Sequence, residues 1–130
     1  MSKMLFNENQ SRNLMNGFLE DLWKHCKERF SPDGFEGFNA FCEVLNSDPG
    51  FFGTWRRSCL KTFGKPFSDE TLLTEEEVFT AMIEFVAQYL FKWEYDVSEV
   101  LNLLFIMRYK PEEAKKERAL WDEVFDLFRK

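Results

Sequence analysis

The chain has 130 residues, with 23 Asp plus Glu against 17 Lys plus Arg and a formal net charge of −6, a length that suits one compact domain spanning 1–130. With 45% hydrophobic and 31% charged residues it supplies both a core and a solvated exterior, which excludes disordered, collagenous and low-complexity classes.

Taken in chain order, residues 1–8 read as a flexible lead-in. Leu14, Met15, Phe18, Leu19, Leu22, Trp23, Cys26 and Phe30 then recur at three- and four-residue spacing. That period predicts a first helix over 11–30, capped by Ser11 or the asparagines before it. The Ser31-Pro32-Asp33-Gly34 run breaks it, and Asp33 with Glu36 makes a capping box for a second helix with Phe35, Phe38, Phe41, Cys42 and Leu45 on its inner face. Gly37 weakens that helix by about 1 kcal/mol relative to Ala, and Ser47-Asp48-Pro49-Gly50 ends it.

Phe51, Phe52, Trp55, Cys59, Leu60 and Phe63 keep a helical period, predicting a short helix at about 51–62 before a Gly64-Lys65-Pro66 loop. Thr74 and Glu77 form the clearest capping box in the chain, with Glu75 and Glu76 at the positive end of the helix dipole. The helix they start should run from 75 to about 94, and its apolar stripe is broad enough for a central element. Asp96 and Glu99 repeat the capping-box pattern ahead of a helix from 97 to about 109, nearly apolar all round and so expected to be enclosed. Pro111 opens a last helix with Ala114, Trp121, Val124, Phe125 and Phe128 on its packing face. With no alternating or hairpin signal and no internal repeat, the fold class is all-α, a bundle of five or six helices.

The opening MSKMLFNENQ has neither the apolar run nor the cleavage site of a signal peptide, which predicts a cytoplasmic chain. The apolar stretches 85–93 and 100–107 fall well short of the roughly 20 residues that cross a bilayer, so no membrane association is expected. Cys26, Cys42 and Cys59 are odd in number and lack any C-x-x-C pair, against a disulfide framework or a zinc site. Each reads as a small buried hydrophobe.

Catalytic chemistry finds little to use. His25, the single histidine, neighbours Cys26 on one helix, where adjacent side chains diverge by about 100° and do not face one another as nucleophile and base must. No G-x-S-x-G, S-x-x-K, H-E-x-x-H or glycine-rich phosphate loop is present. The carboxylates lie where caps and dipoles account for them, without the E-x-x-H pairs of a di-iron bundle. The sequence therefore predicts no enzyme, no cofactor and no metal.

Charge is segregated. Residues 68–99 hold nine carboxylates against Lys92 alone, a local −8, while 51–67 hold Arg56, Arg57, Lys61 and Lys65 with no acid, a local +4. An acidic face steers association with a basic partner. The sequence thus points to a non-enzymatic module that binds a basic protein, in its sharpest form an inhibitor of the immunity-protein or antitoxin type covering the cationic site of a toxin such as a nuclease. Glu75, Glu76, Glu77, Glu94, Asp96 and Glu99 would supply the charge, with Trp93 and Tyr95 as aromatic anchors.

Trp55, Arg56, Arg57 and Lys61 form a secondary basic patch with the look of a nucleic-acid site. The net charge of −6 argues against nucleic acid, and pairing with the neighbouring acidic helix is the simpler expectation. The 18% aromatic content leaves room for exposed anchors such as Phe51 and Phe52, or for a homodimer. The alternative function is a helical regulator or sensor holding an apolar small ligand in an aromatic-rich pocket between helices.

Overall fold

A computed structural model describes residues 5–47, 51–64, 72–91 and 96–127. Its elements are β1 (Leu5–Phe6), α1 (Glu8–His25), α2 (Pro32–Ser47), α3 (Phe51–Phe63), β2 (Leu73–Thr74), α4 (Glu75–Phe91), α5 (Ser98–Tyr109) and α6 (Lys115–Leu127). Single 3-10 turns at Lys27–Arg29 and Pro111–Glu113 lead into α2 and α6. The architecture is the all-α bundle that the hydrophobic periods predict.

Local chemistry sets the helix ends, with some differences from the sequence reading. α1 begins three residues early because Asn7 and Gln10 cap it reciprocally, Asn7 Oδ1 accepting from the Gln10 N–H at 2.8 Å. It also ends at His25 rather than 30, where the backbone tightens into the first 3-10 turn. Ser31, not Asp33, caps α2: its hydroxyl accepts from the Gly34 N–H at 3.0 Å, with Pro32 at the first helical position. Gly64 closes α3 at φ 75°, its N–H reaching the Leu60 carbonyl at 2.7 Å.

The Thr74–Glu77 box forms as the sequence predicts, with the Thr74 N–H donating to Glu77 Oε1 at 2.9 Å and the Glu77 N–H to Thr74 Oγ1 at 3.1 Å. α5 starts without a side-chain cap, because its N-cap position falls on Val97, which has no acceptor, while Asp96 accepts from the Ser98 hydroxyl and Glu99 from Ser31, so the Asp96–Glu99 box does not form. Nor is the lead-in flexible at Leu5–Phe6: these residues pair antiparallel with Leu73–Thr74, and Phe6 is fully buried.

α4 lies at the centre, packed on α3, α5 and α1, while α6 and α2 pack on α1. Val78, Phe79, Ala81, Met82, Phe85, Val86 and Tyr89 bury its inner stripe. Aromatic edges interlock around it: Trp55 against Phe85 at 5.7 Å, Phe41 against Tyr89 at 5.0 Å, and Phe79 against Trp121 at 5.1 Å between ring centroids. α5 is not enclosed on every side, since Phe105 and Tyr109 face outward. Among the described residues no helix is long and apolar enough to cross a membrane.

Candidate functional site

The carboxylates that the sequence groups together separate in space. Arg108, in the last turn of α5, faces Glu76, in the first turn of α4, so the two helices run antiparallel. Glu99 therefore lies about 14 Å along the α5 axis from Arg108, at a rise of about 1.5 Å per residue. Glu75, Glu76 and Glu77 stand at one end of this helix pair, and Asp96 and Glu99 at the other. Trp93, Glu94 and Tyr95 lie outside the described residues, as do the side chains of Phe51 and Phe52.

Internal partners account for much of the first group. Glu75 Oε1 accepts from the Trp121 indole N–H at 2.5 Å and lies 3.5 Å from Arg118 Nη2. Glu77 is occupied by the Thr74 cap. Glu76 is 81% exposed and only loosely matched to Arg108, at 3.7 Å. Glu84, further along α4, pairs with Lys61 of α3 at 2.8 Å. The acidity of α4 is thus largely answered by cations from α3, α5 and α6.

The basic patch is dispersed by the same packing. Trp55 is fully buried and its indole N–H donates to Ser11 Oγ at 3.2 Å, so it is a core residue and not an aromatic contact for a partner. Arg56 reaches Glu8 of α1 at 2.6 Å, and this hydrogen bond raises its pKa. Arg57 and Lys61 line a hollow of about 690 Å³ between α3 and α4 with Glu84, Gln88 and Phe91, the last 78% exposed.

Among the described residues, an acidic surface without ion-paired cations forms instead along α2. Asp33, Glu36 and Glu43, spaced i, i+3 and i+10, occupy one exposed stripe of that helix. α2 carries no Lys or Arg, and among the described residues none of the three carboxylates joins an ion pair. Lys27, which sits 5.0 Å over the Phe35 ring, is the cation held beside this helix. The start of α5 borders the stripe, with Asp96 against Gly37 and Glu99 against Gly34. Ser31 donates to Glu99 through its backbone N–H at 2.9 Å and its hydroxyl at 2.5 Å, and these bonds hold the Glu99 carboxyl below its ordinary pKa. Sequence reading missed Asp33, Glu36 and Glu43 as a surface, although the absence of any Lys or Arg between 30 and 55 is the signal that marks it.

A cleft of about 680 Å³ opens where α4 begins, α5 ends and α6 passes. Its floor is Phe79, Met107 and Trp121, and its walls carry Glu75, Glu76, Arg108 and Arg118. An interhelical pocket is therefore present, but its walls are charged where the sequence anticipates an apolar cavity.

His25 is exposed at the end of α1 while Cys26 is buried, so the two do not form a nucleophile and base. Cys26, Cys42 and Cys59 are all buried free thiols, with pKa values pushed by burial up to about 11, 12 and 12. Among the described residues no group of His, Cys, Asp or Glu is placed to hold a metal ion. The chain matches no family model, no curated protein and no solved structure.

Proposed function

We propose that the chain is a non-enzymatic binding module that holds a basic protein against the acidic stripe of α2 and the adjoining start of α5. In its sharpest form the module is an inhibitor of the immunity-protein or antitoxin type, which neutralises its partner by covering a cationic site. The observation that carries this reading is the row Asp33, Glu36 and Glu43, none of which joins an ion pair among the described residues, in a chain of net charge −6 whose other helices mostly answer their carboxylates with cations. The acidic docking charge assigned from sequence to Glu75, Glu76 and Glu77 moves accordingly, because Glu75 is held by Trp121 and Arg118, Glu77 closes the helix cap, and Glu76, though exposed, stands at the far end of the α4–α5 pair from the α2 stripe. Unpaired carboxylates on a rigid helix project a field that speeds encounter with a cationic surface and rejects acidic ones.

The test is capture from native lysate at about 50 and about 500 mM salt, across which the Debye length shrinks severalfold, by the wild-type chain and by a variant carrying Asp33→Lys, Glu36→Lys and Glu43→Lys. The expected result is a basic protein retained at low salt, lost at high salt, absent from the variant's eluate, and inhibited in its own activity when the wild-type chain is added. A partner that is acidic, or is retained equally by the variant, overturns the reading. So does a lysate with no salt-sensitive partner.

A further inference from the structure

We propose that the cleft between α4, α5 and α6 binds a small zwitterion with a bulky apolar body, the chemistry of a free apolar α-amino acid. This inference goes beyond the α2 surface and stands on different residues. At about 680 Å³ the cleft falls within the usual range for small-molecule sites; the buried side chains of Phe79, Met107 and Trp121 close its base, and the apolar surface open to a ligand is that of Tyr109 and Pro111. Trp121 is locked in that base by its indole bond to Glu75 and by edge contacts with Phe18 and Phe79 at 5.1 Å each. The floor is thus preorganised.

The walls decide the ligand's charges. Arg118 approaches Glu75 and Asp122 only at 3.5 and 3.7 Å, and Arg108 approaches Glu76 at 3.7 Å. Among the described residues neither guanidinium donates a hydrogen bond. Each offers five N–H donors, and a ligand carboxylate would meet them at about 2.7–2.9 Å, a better match than the present pairs. Glu76 is 81% exposed and held loosely, so it is free to turn toward an ammonium. Tyr109 stands at the mouth, largely exposed, with the Arg108 guanidinium 5.9 Å over its ring.

Two cations and two carboxylates make the lining neutral. A phosphorylated ligand would meet Glu75 and Glu76 as like charges. A wholly apolar ligand would strip water from four charged groups without replacing their hydrogen bonds. A carboxylate and an ammonium on one small molecule satisfy both signs at once, and its apolar side chain packs against Tyr109 and Pro111.

The test is a titration of the full chain with L-phenylalanine and L-leucine, followed by 1H–15N NMR, beside N-acetyl-L-phenylalanine, which lacks the ammonium, and L-phenylalaninamide, which lacks the carboxylate. The expected result is saturable shifts mapping to 75–79, 107–111 and 118–121 with at least one free amino acid, and binding at least tenfold weaker for both capped derivatives. Arg108→Gln and Glu76→Gln, both at wall positions outside the core, should each weaken the free amino acid tenfold, and Glu76→Gln should leave the N-acetyl compound unchanged. No saturable shift in the cleft up to about 10 mM overturns the proposal. Equal binding of either capped derivative also overturns it, because the site would then read one charge and not two.

Discussion

Glu99 and Ser31 lie 68 residues apart in sequence and are joined by two hydrogen bonds to one carboxylate, which ties the start of α5 to the start of α2. One side chain thus answers an orphan backbone N–H at the N-terminal end of α2 and anchors the Ser31 hydroxyl that caps the same helix.

That bond predicts a pH-dependent contribution to stability. The carboxyl titrates lower in the folded chain than in the unfolded one, because only the folded form supplies the Ser31 donors. The stabilisation is therefore fully present above the unfolded value, about 4.3 for Glu, and disappears as pH falls through the lowered folded value. Urea unfolding should show wild type more stable than Glu99→Gln at pH 7, with the gap narrowing below about pH 4.3. A gap independent of pH would mean that the carboxylate's charge plays no part.

Glycine at 37 is dictated by close approach. A Cβ there would overlap the Asp96 carbonyl and meet Asp96 Cβ at 2.8 Å. Gly37→Ala should cost about 1–3 kcal/mol, as overpacking against backbone does. Gly53, inside α3, would place its Cβ no closer than 3.9 Å to the Arg57 guanidinium. Gly53→Ala should therefore stabilise by about 0.4–1 kcal/mol. Thermal melts of the two variants should move in opposite directions.

Glu117 carries a carboxylate that is 1% exposed, with Arg29 Nη2 2.7 Å from Oε1. Arg29 aims its hydrogen bond at the Glu113 carbonyl, at 2.6 Å, so Glu117 Oε1 is ion-paired without being hydrogen-bonded. Arg29→Ala should destabilise, by less than the roughly 3–5 kcal/mol of a fully sequestered pair, since Arg29 is 37% exposed. Adding Glu117→Met should recover part of that loss by removing the stranded charge. Chemical denaturation of the single and double variants measures this directly, and a double variant no more stable than Arg29→Ala would refute it.

The three thiols should resist labelling in the native chain. With pKa values of about 11 to 12 and buried sulfur atoms, almost no accessible thiolate exists at pH 8. Reaction with a disulfide reagent should be slow until urea unfolds the chain, then reach three equivalents per molecule. Fast labelling of one thiol in buffer would mark a locally open region.

Much of the fold is legible in sequence because its signals are short-ranged. The Thr74–Glu77 box spans a single turn, and the apolar stripe of α4 repeats every three or four residues. The helical class and most helix limits follow from such patterns, as does the burial of the cysteines. Where the reading slips, the competing signal is also local: Ser31 and Pro32 together start α2 ahead of the Asp33–Glu36 pair.

The surface was decided by tertiary packing alone. Trp55 adjoins Arg56 and Arg57 in sequence, yet successive helical side chains diverge by about 100°, so Trp55 turns into the core while Arg56 reaches Glu8 across 48 residues. Likewise, which carboxylates keep a free charge depends on which helix brings a cation alongside. Arg108, Arg118 and Lys61 answer α4, and among the described residues no ion pair forms along Asp33, Glu36 and Glu43. Ion pairing falls off over a few ångströms, whereas the residues that pair here lie 23 to 48 positions apart. Helices could therefore be read along the chain, but the charge pattern of the surface exists only once they are packed.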